Sequence, residues 1–256
     1  MKNIKRIDFL GVPGSGKSSV YAGLLRKRTK RDWLTPEEAK LKIARSESFS
    51  RRTFKNTTKS FLSNLPGFKW AGGLLVEAVV SPIEDDVLWS QRDKWKNFLE
   101  ACITAPQLEE THPVRILQDL SYLLDRVKDV ALLKHFGFEG EVIFEDSLSQ
   151  RAGMVLAHSG RYEDLFSFEV LRPAAVIYLK TSPKLVLERI KGRSKVILKH
   201  RGLSNNELMD QLEREIIIND KIFLSAQKNG IKVCELDASA GLSYIIQSAS
   251  KFVLDL

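Results

Sequence analysis

Residues 7–28, IDFLGVPGSGKSSVYAGLLRKR, decide how the rest of the chain is read. An apolar run ends at Leu10, three glycines, a proline, a lysine and serines follow, and a helix-like run closes the stretch. Gly11, Val12, Pro13, Gly14, Ser15, Gly16, Lys17 and Ser18 satisfy GxxxxGK[ST] in full. Glycines let successive backbone N–H groups turn inward onto phosphate oxygens, and the helix that follows aims its positive end at the same anion. In this pattern Lys17 reaches the β and γ phosphates and the Ser18 hydroxyl reaches a Mg²⁺ ion. Gly11, Pro13, Gly14, Ser15, Gly16, Lys17, Ser18 and Ser19 are therefore the expected donor-nucleotide residues, with ATP and Mg²⁺ as the expected cofactors. The required context, strand before and helix after, is present: residues 4–10 read as a buried strand and 17–29 as a helix.

Outward from that loop, three more short apolar runs read as strands: EVIFED (141–146), AAVIYLK (174–180) and IKVCELD (231–237). Helical runs at 183–193, 204–228 and 240–254 separate them, an alternation that indicates a parallel sheet covered on both faces. Residues 33–48 suggest a short extended piece and then a helix opening at Pro36 with acids in its first turn. Residues 49–69 are basic, with Ser, Thr and Asn interspersed, and read as the most mobile segment. Residues 70–135 read as helical, with breaks at Pro82, Pro106 and Pro113. The expected fold is α/β, with 1–256 a single domain, 49–135 a helical insertion on the acceptor side and about 189–203 a lid.

Bulk properties narrow the class. The chain has 256 residues, 43% of them hydrophobic, and a formal net charge of +8. That excess suits anionic partners without choosing among them. Its two cysteines, Cys102 and Cys234, form neither a disulfide framework nor a CxxC pair, and are expected as buried small hydrophobes in a reducing, cytoplasmic setting. The four histidines lack metal-ligand spacing. The longest apolar stretch, WAGGLLVEAVV, is shorter than the roughly 20 residues of a spanning helix, so no transmembrane segment is expected.

Two further places carry chemistry. Glu145 and Asp146 end the second strand, where ligands of open α/β sheets sit. A carboxylate there holds a metal through water or takes the proton of an attacking hydroxyl. Glu145 is the favoured metal or base residue, with Asp146 close behind and Ser147 a candidate helix cap. Arg189 and Arg193, four apart on one helix, are the cations expected to close over a transferring phosphoryl group. Together with Lys17 they complete the candidate catalytic set.

These pieces together resemble the P-loop family of nucleoside and nucleotide kinases, and thymidylate kinase most of all. The stretch YLLDRVKDVALLKHFGFEGEVIFEDSLSQRAG (122–153) resembles that enzyme's run of a helix with an Asp-Arg pair, a strand, and a Ser/Gln-containing helix. VIYLKTSPKLVLERIKGRSK and VCELDASAGL resemble the segments leading to the lid and lying against adenine. The resemblance implies a three-layer P-loop NTPase fold and places Arg126 against the acceptor. One departure matters. Where thymidylate kinases have Asp-Arg after the strand, this chain has Glu145-Asp146, an anion where a cation grips the acceptor's phosphate. Deoxynucleoside kinases use a glutamate after their second strand as base, and Glu37 or Glu38 falls roughly there.

The function expected is phosphoryl transfer from ATP to a small-molecule acceptor, either a nucleoside or nucleotide or a sugar or glycan hydroxyl. Arg51, Arg52, Arg126 and Glu37 are the candidate acceptor residues. The alternative is an NTP-binding regulatory switch with slow hydrolysis. Aromatics and cations also mix in RRTFKNTTKSFLSNLPGFKW (51–70), but no nucleic-acid partner is expected, since aromatics in a helical insert are usually core. A homodimer is compatible with the sequence.

Overall fold

The computed structural model describes residues 4–29, 33–50, 69–104, 113–157, 161–192 and 203–256. Four strands, β1 (Lys5–Leu10), β2 (Glu141–Phe144), β3 (Ala175–Lys180) and β4 (Lys232–Asp237), form one parallel sheet in the order β2-β1-β3-β4. Ile7 stands level with Ile143 on one side and Ala175 on the other. Leu34 bridges Val142 in parallel at the outer edge of β2, through Leu34 N–H to Glu141 O at 2.9 Å and Ile143 N–H to Leu34 O at 3.0 Å. The extended piece foreseen before Pro36 is that edge.

The strands are buried on both faces, which is why they read as continuous apolar runs. Successive side chains point to opposite faces. Ile7, Phe9, Ile143, Ile177 and Leu179 pack beneath α1 (Lys17–Lys27) and α10 (Leu242–Leu254). Leu10, Val142, Phe144, Val176 and Tyr178 enter the larger core on the other face. That core is closed by α7 (Leu148–Ala157) and α9 (Asn205–Lys228), and it runs on into the inserted helices. The result is the three-layer α/β sandwich with helices on both faces.

Local chemistry sets the helix ends. Thr35 caps α2 (Pro36–Ser50): its Oγ1 accepts Glu38 N–H at 3.1 Å while the Glu38 carboxylate takes Thr35 N–H at 3.0 Å. This is a capping box with Pro at the first helical position. Ser204 and Glu207 build the same device on α9. Ser182 caps α8 (Pro183–Lys191).

Between α2 and β2, α3 (Lys69–Val79) gives way to α4 (Ser81–Ser90), whose first turn holds Pro82, and Pro113 opens α6 (Pro113–His135). Pro106 lies outside the described residues. A break not foreseen comes at Gln91, between α4 and α5 (Arg92–Ile103). No Gly or Pro marks it; the buried Gln91 Nε2 donates to Ala131 O of α6 at 2.9 Å, so a tertiary hydrogen bond fixes the corner. Most of the basic 49–69 stretch, with Arg51, Arg52, Lys55 and Lys59, lies outside the described residues, as do Arg193 and most of the 189–203 segment. No helix among the described residues is long and apolar enough to cross a membrane.

Candidate active site

β1, between β2 and β3, ends in a glycine-rich loop at the carboxyl edge of the sheet, the edge where open parallel sheets bind ligands. Gly11, Gly14 and Gly16 have φ of 140°, 98° and 106°, all in the region that favours glycine. At Gly11 space is also short: a Cβ would stand 2.9 Å from Ser15 Oγ and 3.1 Å from Leu179 O. Ser15 N–H closes the turn onto Val12 O at 3.1 Å. Gly16 caps α1 through its carbonyl, which accepts Ser19 N–H and Val20 N–H at 3.0 and 3.1 Å. Pro13 is half-buried on the loop, while Ser18 and Ser19 are exposed in the first turn of α1.

Both groups of the Gly11 residue are anchored by distant helices. Its N–H donates to Oδ1 of the buried Asn219 on α9 at 3.2 Å. Its carbonyl accepts from Lys17 Nζ within the loop and from Gln150 Nε2 of α7 at 2.9 Å.

Opposite the loop, the Ser18 hydroxyl donates to the Glu145 carboxylate. A hydroxyl and a carboxylate thus meet where β1 and β2 end. Among the described residues no group of three or more His, Cys, Asp or Glu is gathered to hold an ion. One hydroxyl and one carboxylate suit a small hard cation that completes its shell with water and substrate phosphates.

Glu145 and Asp146 lie in a bend just past β2, so strand alternation does not separate them; their partners do. Asp146 takes both Nε and Nη2 of Arg151, at 2.7 and 3.1 Å, and that guanidinium lies 4.6 Å over the Tyr122 ring. The anion that stands where thymidylate kinases carry a cation is thus paired with an arginine of its own, Arg151, one helical turn into α7. Ser147 is the cap of α7, accepting Gln150 N–H at 3.2 Å and donating to Phe9 O at 2.8 Å.

The two glutamates of α2 also separate. Glu38 is tied to Arg28 through both carboxylate oxygens, and this hydrogen-bonded pairing holds its carboxyl below the usual range. Glu37 is exposed. Its charge reaches Tyr21, whose phenol is pushed up first by burial and then by Glu37, Glu145 and Glu38. It also reaches Asp129, where burial is the larger cause of an upward shift. Asp129 pairs with Arg126 Nη1 at 3.0 Å and with Lys40, which also meets Glu84 at 3.0 Å. Arg126 Nε is buried, with no hydrogen-bond partner among the described residues.

Arg189, expected among the cations over the phosphoryl group, is held on backbone carbonyls. Its Nη1 donates to Ser15 O and its Nη2 to Ala238 O, each at 2.7 Å. The guanidinium joins the glycine-rich loop to the turn after β4. Arg193, Arg51 and Arg52 lie outside the described residues.

Four residues here were not singled out from sequence: Tyr21, Gln150, Arg151 and Asn219. Gln150 and Arg151 stand in the same EDSLSQR stretch as the acids, and one turn of helix after Ser147 would have carried them back to the strand end. Asn219, within IIINDK, carries no local signal.

The chain is similar to a solved deoxyadenosine kinase from M. mycoides with bound dCTP, at 15% identity and a TM-score of 0.49, over 98% of this chain and 100% of that one. No family profile matches the chain. No curated protein matches it either.

Proposed function

We propose that this protein is a P-loop phosphotransferase that moves a phosphoryl group from ATP to a small-molecule acceptor. The observation that carries the reading is the contact between the Ser18 hydroxyl and the Glu145 carboxylate. It places an acid at the mouth of a glycine-shaped loop whose lysine sits within the same turn. The loop amides and the N-terminus of α1 cradle the triphosphate. Ser18 directly and Glu145 through water would hold Mg²⁺, which when bound neutralises charge on the β and γ phosphates. Lys17, whose ammonium carries three donors, reaches those phosphates from the same turn.

The acceptor side is formed by Glu37, Arg126 and Arg151. Glu37 is the proposed base for an acceptor hydroxyl, because Glu38 is committed to its capping box and to Arg28. Arg126, with Nη1 on Asp129 and Nε unpartnered, offers its Nε–Nη2 edge to an acceptor oxygen, and a side-on guanidinium edge makes two parallel hydrogen bonds. Acceptors of the class are a nucleoside, a nucleotide or a sugar hydroxyl.

The test is transfer of label from γ-labelled ATP with Mg²⁺ across a panel of nucleosides, nucleoside monophosphates and sugars. One acceptor class is expected to accelerate ADP release and to carry the label. Lys17→Ala should abolish transfer at an unchanged melting temperature. Transfer surviving that substitution, or ADP release that no acceptor accelerates, would remove this reading.

A further inference from the structure

Asp8 is a fully buried carboxylate on the interior strand β1, three residues before the glycine-rich loop. It stands level with Phe144, the last residue of β2. Its Oδ2 accepts both the N–H of Ser149, at 3.1 Å, and the Ser149 hydroxyl. We infer that Asp8 is a positioning residue for Glu145, clamping both ends of the turn 144–149 that carries Glu145 to the Ser18 hydroxyl. This deepens the proposed kinase reading and rests on its assignment of Glu145 to the metal side of the donor site.

The reach of the clamp follows from the register. The β1–β2 ladder holds Phe144 beside Asp8. Glu145 and Asp146 follow in a bend, Ser147 caps α7, and Ser149 is the second residue of that helix. Its N–H is one of the first-turn amides that no helical carbonyl can satisfy, where the helix dipole also favours an anion. The next residue of β1 adds a second tie, because the Phe9 carbonyl accepts the Ser147 hydroxyl at 2.8 Å. Only Glu145 and Asp146 lie between the ladder and these ties. β1 itself runs on into the loop and α1, which carry Ser18. One strand thus sets both partners of the Ser18–Glu145 contact.

Energetics favour this reading over a stabilising role for the charge. Arg6 accompanies Asp8 on the same face of β1. Its Nε lies 3.0 Å from Asp8 Oδ1 without hydrogen-bond alignment, and its Nη2 donates to Leu171 O. Arg6 is 3% exposed and Asp8 0%. The cost of taking both charges out of water offsets most of their attraction, and apolar residues of similar volume often serve stability as well or better. What an apolar residue cannot supply is an acceptor beneath the first turn of α7. Position 8 provides that acceptor, and Arg6 balances its charge.

The test is calorimetric titration of the full chain with ATP, once in Mg²⁺ and once in EDTA. The readout is the factor by which Mg²⁺ tightens ATP binding, so the unknown acceptor does not enter. Arg6→Met/Asp8→Val removes the charges and the acceptor together. Arg6→Met/Asp8→Asn removes the charges but keeps a side-chain oxygen for Ser149. The first variant should lower the Mg²⁺ factor about tenfold, the size of effect seen when a group that orients a metal ligand is lost. The second should keep the wild-type factor. A merely structural role would lower the melting temperature of the first variant and leave the factor alone. Ser149→Ala gives up the hydroxyl tie and keeps the helix; it should lower the factor about two- to fivefold, the size of one hydrogen bond. That variant decides the matter where the first double variant does not fold. A wild-type factor in Arg6→Met/Asp8→Val, or in Ser149→Ala where it stands in, overturns the inference, as does an equal loss in both double variants. Each of those outcomes leaves the kinase reading intact. Wild type that binds ATP equally in Mg²⁺ and in EDTA overturns the inference together with the metal role of Glu145, and wild type that takes up no ATP overturns the donor site itself.

Discussion

Glu37 and Glu38 are neighbours on α2, about 100° apart around the helix, and that rotation sends them to different tasks. Glu38 closes the capping box and grips Arg28, whose guanidinium lies 5.2 Å over the Trp33 ring. Its carboxyl is held below the usual range, so its contribution to stability is present above the unfolded carboxylate range and is lost as pH falls through the folded value. Glu38→Gln should lower the urea midpoint at pH 7, and the gap to wild type should close in acid, as read from unfolding curves at both pH values. Glu37→Gln should leave those curves alone and slow transfer by at least about 100-fold, the usual size of a lost general base; an unaltered turnover number would take the base role from Glu37. Arg151 allows a sharper comparison. The Asp146–Arg151 pair is partly exposed, so each of its charges has modest reach, about 0.5–1 kcal/mol. Asp146→Asn should shift the ratio of kcat/KM for phosphate-bearing over neutral acceptors upward by about two- to fivefold, and Arg151→Gln should shift it down. Equal ratios in both variants would show that the pair stands away from the acceptor.

At the scale of elements, α7 carries the weight of the site. It supplies Ser147, Gln150 and Arg151, and it is seated by Gly153, where an added Cβ would lie 2.2 Å from Ile222 Cδ1 and 2.7 Å from Cγ1 of α9. Gly153→Val should therefore overpack the α7–α9 contact and cost about 1–3 kcal/mol in urea unfolding, a side chain too large for Ile222 to yield to without moving a helix. Wild-type stability in that variant would mean that the two helices are not closely seated. The same element shows what was legible beforehand. The tight loop between β1 and α1 could be read because its backbone takes positive φ at Gly11, Gly14 and Gly16, which glycine alone adopts readily. The strands could be read because burial on both faces makes them uniformly apolar. Capping of α2 at Pro36 and the acids after β2 were also visible, since such signals act over three or four residues. Asn219, Gln150 and the corner at Gln91 were not, because each owes its role to a partner 40 or more residues away. Arg189 was visible as a cation, but its carbonyl partners, Ser15 and Ala238, come together only in the fold.

At the scale of the molecule, the question is whether the inserted helices stand or fall with the sheet. Their interior residues, Trp95, Phe98, Cys102, Leu123 and Val127, belong to the same buried cluster as Phe144, Val176 and Tyr178 of the sheet. A shared core predicts one cooperative transition, since the helices cannot open without exposing the apolar face of β2. Cys102 can report on this. It is buried in α5, and burial pushes its thiol up to about 12. Only the thiolate reacts, so labelling at pH 8 requires opening. Cys234 lies partly buried on β4, and burial raises it too, so a Cys234→Ser background isolates the reporter. In that background the urea midpoint for Cys102 labelling should coincide with that of the far-ultraviolet circular dichroism. Labelling of Cys102 at a urea concentration where the circular dichroism is still native would mean that the insertion opens by itself. The acceptor side, with Arg126 on α6 and Glu37 on α2, would then be able to rearrange while β1, the loop and the donor site stay formed.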